Sequence, residues 1–99
     1  MFILFDQGTP VPLAKFLLGQ SVKTAAQMKW DTLGNGELLQ AAEEAGFELL
    51  LTTDKSLAYQ QNLRHRKIAI VVLGRNTWSV VKSVIPQIVA AVSAATPVS

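Results

Sequence analysis

The chain contains no cysteine, a single histidine and few charges, 16% of its residues. Without cysteine, disulfides and thiolate metal sites are excluded, and a reducing cytosol is the expected setting. No apolar run is long enough to cross a membrane. The apolar tail over residues 78–95 is interrupted by Lys82, Ser83, Pro86 and Gln87. The start, MFILFDQG, carries no basic leader and meets an acid after four apolar residues, so no signal peptide is expected. Repeats, linkers and low-complexity tracts are also lacking. A net charge of +2 does not by itself argue for nucleic acid, and it leaves the surface outside an acidic cluster mildly basic.

What is present is a short, apolar chain, 49% hydrophobic, of a length that fits one domain over residues 1–95 with a frayed tail over 96–99. Three apolar runs read as strands, Phe2 to Phe5, Phe47 to Thr52 and Lys67 to Leu73, and Ser21 to Thr24 reads as a further, brief strand with the weakest pattern. Between them lie helical patterns. One opens at Thr9 or Pro10, with Leu13, Phe16 and Leu17 as its apolar stripe and Gly19 as its end. A short one covers Ala25 to Trp30. A third runs from Asn35 or Gly36 with Leu38, Leu39, Ala42 and Ala45 on one side and Gly46 as its stop. Further helices are expected around Ser56 to Leu63 and over Trp78 to Ala95, the last kinked at Pro86. Strand and helix alternate with short connections. That order predicts an α/β fold of three layers, a parallel sheet of about four strands between helices joined by right-handed crossovers.

Three acids stand where apolar patterns meet turns: Asp6 after MFILF, Glu37 after LGNG and Asp54 after FELLLTT. In a parallel sheet, strand ends and the helix starts that follow them share one edge, where such folds bind ligands. Asp6, Glu37 and Asp54 are therefore expected on one rim. Crowded carboxylates stay ionised when a divalent cation neutralises them, and oxygen ligands without Cys or His select Mg²⁺ or Mn²⁺. Such an ion would activate water and stabilise charge on a phosphoryl oxygen, the chemistry of phosphodiester cleavage. Gln7, Thr52 and Thr53 are placed to hydrogen-bond the carboxylates, Asn76 to add an oxygen, and Lys55 and Arg75 to contact phosphate.

Each acid also has an ordinary reading: Asp6 as a turn residue, Glu37 as a first-turn helix acid, Asp54 as an N-cap. Glu43, Glu44, Glu48 and Asp31 are read as solvated, and Trp30 and Trp78 as partly buried packing or interface residues. Arg64-His65-Arg66-Lys67 precedes the fourth strand, hence the opposite edge, and reads as a solvated turn rather than an RNA-binding patch. His65 is accordingly neither a metal ligand nor a general base.

The order strand–Asp6, helix-borne Glu37 and LLLTTD ending in Asp54 resembles the PIN-domain superfamily. ILFDQGTPVPLAKFL, NGELLQAAEEAGFELLLTTDKSL, YQQNL and IAIVVL look like a small family of PIN-like bacterial proteins, over roughly residues 1–92. The resemblance implies a metal-dependent ribonuclease with Asp6, Glu37 and Asp54 as metal-binding and catalytic residues, an RNA substrate and, as in many such proteins, a cognate antitoxin. The chain departs from the pattern in one respect. Many PIN nucleases carry a further acid after the third strand or near the end of the fourth, where this chain has Lys55, Ser56 and Asn76. One cation completed by water is then expected in place of a stable pair, with weak activity or activity only once substrate phosphates complete the shell. Two other functions compete: a non-cleaving PIN-like module that binds RNA or a protein, and a phosphoacceptor receiver domain. Receivers usually pair two acids by the first strand, whereas Asp6 is followed by Gln7. The apolar excess also predicts a homodimer.

Overall fold

A computed structural model describes residues 1–55, 67–74 and 77–95. Four short strands form one wholly parallel sheet: β1 (Phe2–Phe5), β2 (Ser21–Thr24), β3 (Leu49–Thr52) and β4 (Ala69–Val72), in the order β2-β1-β3-β4. All four lie within the segments read as strands from the sequence. Register aligns Ile3 with Val22 and Leu49, and Leu49 with Ala69. Successive residues of a strand face opposite sides, so this register sorts the core into two halves.

Ile3, Phe5, Leu49 and Leu51 face one side. There they pack on Leu13 of a 3₁₀ helix (Val11–Phe16) and its C-cap Leu17, and on the C-terminal helices α2 (Trp78–Val81) and α3 (Ile85–Ala94), through Val81, Ile88 and Val92. Leu4 and Leu50 face the other side and pack on Leu38, Leu39 and Ala42 of α1 (Asn35–Glu44). Helices thus cover both faces of the sheet, as the alternation of elements implied. Every residue of β3 is buried, which accounts for its unbroken apolar sequence.

Helix ends are set by local chemistry. Gly46 (φ +90°) closes α1 in a Schellman motif, its N–H donating to Glu43 O at 3.1 Å while Phe47 N–H donates to Ala42 O at 3.0 Å. That closure takes the Phe47 amide, so β3 begins at Leu49 and not at Phe47. Ala45, expected on the apolar stripe of α1, is the exposed C-cap.

The helix expected over Ala25 to Trp30 is a single turn. Thr24 and Gln27 form a capping box, with Gln27 N–H donating to Thr24 Oγ1 (3.0 Å) and Thr24 N–H to Gln27 Oε1 (2.9 Å). Trp30 N–H donates to Ala25 O at 2.8 Å and Lys29 N–H to Ala26 O at 3.1 Å, with Lys29 at φ +63°. The turn is therefore capped at both ends before it can grow.

The first helix is 3₁₀ in form, with Pro12 in its first turn and Leu13 N–H donating to Pro10 O. Leu13 and Leu17 are buried as expected, but Phe16 is 44% exposed and its ring meets Trp78 at 6.2 Å between centroids. At the other end, Pro86 does not kink one long helix. It stands in the first turn of α3, and a 3₁₀ stretch over Lys82–Val84 separates α2 from α3. Proline has no N–H to give to the carbonyl four residues back and its ring crowds it, so the break falls before Pro86.

The edge of the sheet where the strands begin is held by acids read earlier as solvated. Phe2 N–H donates to Glu48 Oε1 (3.0 Å) and Lys67 N–H to Glu43 Oε2 (2.6 Å). Lys67 thereby takes its expected place at the edge opposite Asp6. Trp30 is partly buried against Phe47, whose ring stacks on Phe2 at 3.8 Å. The helix expected at Ser56 to Leu63, the run Arg64 to Arg66, the residues Arg75 and Asn76, and the tail 96–99 lie outside the described residues. Among the described residues, no helix is long and apolar enough to cross a membrane.

Candidate functional site

The chain leaves β1 toward β2 on one side and later returns to place β3 on the other side of β1. The carboxyl ends of β1 and β3 are therefore a topological switch point, where adjacent connections diverge and leave a crevice. Asp6 and Thr52 stand at that point, directly after β1 and at the last position of β3.

Asp6 is fixed by both its backbone and its side chain. Its N–H donates to Leu51 O at 2.9 Å, carrying the β1–β3 ladder one residue further. Its Oδ1 accepts from Gln7 N–H at 2.8 Å, and its Oδ2 accepts from the Thr52 hydroxyl at 2.8 Å. Thr52 is fully buried, and its Oγ1 in turn accepts from Asp54 N–H at 3.0 Å. One hydroxyl thus joins two of the three acids singled out in the sequence. It donates a hydrogen bond to the Asp6 carboxylate and positions the backbone of Asp54.

A second buried threonine braces the same edge. Thr9 N–H donates to Asp6 O (3.1 Å) and its hydroxyl to Leu51 O (3.0 Å). Gly8, between them, has φ +91°, and a Cβ there would lie 3.2 Å from Thr53 Oγ1. Its left-handed conformation and its close neighbour both favour glycine. The loops after β1 and β3 are consequently locked to each other. Among the described residues, Thr9 and Thr52 are the only buried polar side chains, and both serve this edge.

Glu37 behaves differently. It is exposed in the first turn of α1, and a Cβ built on Gly34 would lie 3.7 Å from its Oε1. Its carboxylate therefore lies back toward the start of its own helix. Among the described residues, no group of three or more His, Cys, Asp or Glu side chains is placed to hold a metal ion. By donor chemistry the edge suits a hard cation, since it offers carboxylate and hydroxyl oxygens. By arrangement it offers two acids linked through Thr52, not an assembled set of three.

The other expected site residues divide. Gln7 contributes its backbone N–H to Asp6, and its side chain is exposed. Thr53 packs against Gly8, and Lys55 is exposed just past Asp54. Beside Asp6, a cleft of about 200 Å³ opens between the ends of β1 and β2, lined by Phe5, Gly8, Thr9, Val11, Ala25 and Ala26 as well as the acid. A larger cavity of about 310 Å³ lies between β4 and the C-terminal helices, and none of the described residues that line it is ionisable.

Sequence reasoning missed Thr9 and the cleft. Thr9 reads as a helix opener beside Pro10, and nothing in its spacing reveals that its hydroxyl turns inward to Leu51. The cleft depends on the turn after β2, whose capping box, Thr24-x-x-Gln27, is legible as a motif. In comparisons with known proteins, the chain matches no family model, no curated protein and no solved structure.

Proposed function

We propose that this chain is a PIN-like, metal-dependent ribonuclease domain of cytoplasmic setting, acting at the carboxyl edge of β1 and β3. Support comes above all from the Thr52 hydroxyl, which ties the Asp6 carboxylate to the Asp54 backbone at a topological switch point. Asp6 and Asp54 would hold a Mg²⁺ or Mn²⁺ ion, with Glu37 joining from the start of α1. When bound, the ion supplies charge neutralisation and an activated water. The protein's own part is to hold the Asp6 carboxylate in a fixed orientation, through the Gln7 amide and the Thr52 hydroxyl.

A second reading, a non-cleaving PIN-like module that binds RNA or a protein partner, is favoured by one observation. Among the described residues, three acids do not gather into one ligand group. Exposed apolar side chains, Phe16 and Leu18 among them, support a further protein contact, whether a cognate antitoxin or a second copy.

Calorimetric titration with Mn²⁺, paired with incubation of a varied RNA pool, tests both readings. The nuclease reading expects one binding event in the wild type, its loss in Asp6→Asn and Asp54→Asn, and RNA cleavage that stops with chelator. Wild-type protein that takes up no Mn²⁺, or an Asp54→Asn variant that binds it equally well, would refute the metal site. Intact RNA alongside normal Mn²⁺ binding leaves the module as the function.

A further inference from the structure

We infer that the cleft beside Asp6 seats a single nucleobase, one that carries a ring carbonyl, adjoining the phosphate engaged at the strand edge. This deepens the reading of that edge as an RNA-phosphate site and rests on it. Three observations point to a base. The first is position: Asp6 itself lines the cleft, so a group lying there is continuous with whatever the β1–β3 edge holds.

The second is size and shape. At about 200 Å³ the cleft is smaller than the pockets that enclose drug-sized ligands, roughly 300–1,000 Å³. That space takes one planar base, single-ringed or fused, and not a larger ligand. Its room comes from residues with little or no side chain, Gly8, Ala25 and Ala26, while Phe5 and Val11 supply apolar wall.

The third is polarity. The backbone amides of Gly8 and Ala26 donate to no other described residue, so both remain available to the ring carbonyl oxygen that uracil, cytosine and guanine carry and adenine lacks. The lining is also held in place beforehand. Gly8 is backed by Thr53, and Ala25 and Ala26 sit inside the Thr24–Gln27 capping box. A preformed cleft loses little order on binding.

Nuclear magnetic resonance titration of the intact chain tests the inference with three probes: uridine 5′-monophosphate, adenosine 5′-monophosphate and ribose 5-phosphate, each with Mg²⁺ and with chelator. Uridine monophosphate is expected to bind about tenfold more tightly than ribose 5-phosphate, a factor within what enclosing one base is worth. It should also exceed the adenosine nucleotide and shift the amides of Gly8, Val11, Ala25 and Ala26. Ala26→Phe fills the cleft and should abolish the uridine preference while ribose 5-phosphate still binds. Val11→Trp, at a position 61% exposed, obstructs the cleft from another wall with little demand on folding.

Equal affinity for uridine monophosphate and ribose 5-phosphate overturns the inference. So does a preference that survives in either folded variant, and adenosine binding as tight as uridine overturns the assignment of a carbonyl-bearing base. Failure of the two readings looks different. A base preference that ignores Mg²⁺ defeats the metal site and keeps the cleft, whereas Mg²⁺-dependent phosphate binding without base preference defeats the cleft alone.

Discussion

Replacing Thr52 with valine keeps the shape of the side chain and removes only the hydroxyl that joins Asp6 to Asp54. Two hydrogen bonds are lost, one to a carboxylate at 2.8 Å and one from an amide at 3.0 Å. A hydrogen bond to a charged group contributes about 1.5–3 kcal/mol and a neutral one about 0.5–1.5 kcal/mol. Asp6 is only partly buried, so water recovers part of the first. The added methyl returns up to about 0.8 kcal/mol of apolar burial. The net destabilisation is then about 2 kcal/mol, which lowers a urea midpoint by about 1 M at the m-values of small domains. Thr52→Ser restores the donor and gives up one buried methyl, so it should lose only about 1 kcal/mol. Equilibrium urea unfolding followed by circular dichroism measures both. A double-mutant cycle with Asp6→Asn should show coupling of at least about 0.5 kcal/mol between the two positions. Valine within about 0.5 kcal/mol of wild type, with no coupling to Asp6, would refute the idea that this hydroxyl organises the edge.

Two further outcomes follow from the packing and the turns. Lys29 occupies a left-handed conformation (φ +63°) at the close of the turn after β2, so Lys29→Gly should raise stability by about 0.5–1 kcal/mol and the melting temperature by about 3–5 °C. A thermal melt with no rise would count against that conformation. Leu50 is fully buried between the sheet and α1, and Leu50→Ala should cost about 2–5 kcal/mol, whereas Leu18→Ala, at 84% exposure, should cost under about 0.5 kcal/mol. Denaturant curves that fail to separate the two would contradict the assignment of the core.

Strand positions were legible because apolar runs buried on both faces leave little choice. FILF and LLLT read as strands from composition alone, and register then follows from which residues must face each helical layer. Ser21–Thr24, with Val22 as its one apolar residue, carried the weakest strand pattern and is the strand with no buried residue. Helix boundaries were harder. The turn after β2 stops at Lys29, a residue whose left-handed conformation no propensity foretells, and Pro86 starts a helix instead of bending one. At the site, Asp6 and Thr52 were both identified, because each ends an apolar run. That Thr52 would donate to Asp6 follows from the register between β1 and β3, a long-range property that no local window contains. Glu37 shows the converse: its edge was legible from topology, and its side chain follows its own helix start.

A parallel arrangement makes every strand pairing distant in the chain. Ile3 pairs with Leu49, and the Thr52–Asp6 contact spans 46 positions. Closing so long a loop carries an entropic cost that is met before the contact stabilises anything, and chains dominated by such pairings fold slowly. The acidic edge therefore cannot appear early, on an isolated hairpin or a nascent fragment. It comes into being only when the central ladder zips shut, so the same event that completes the domain also switches on whatever chemistry that edge performs.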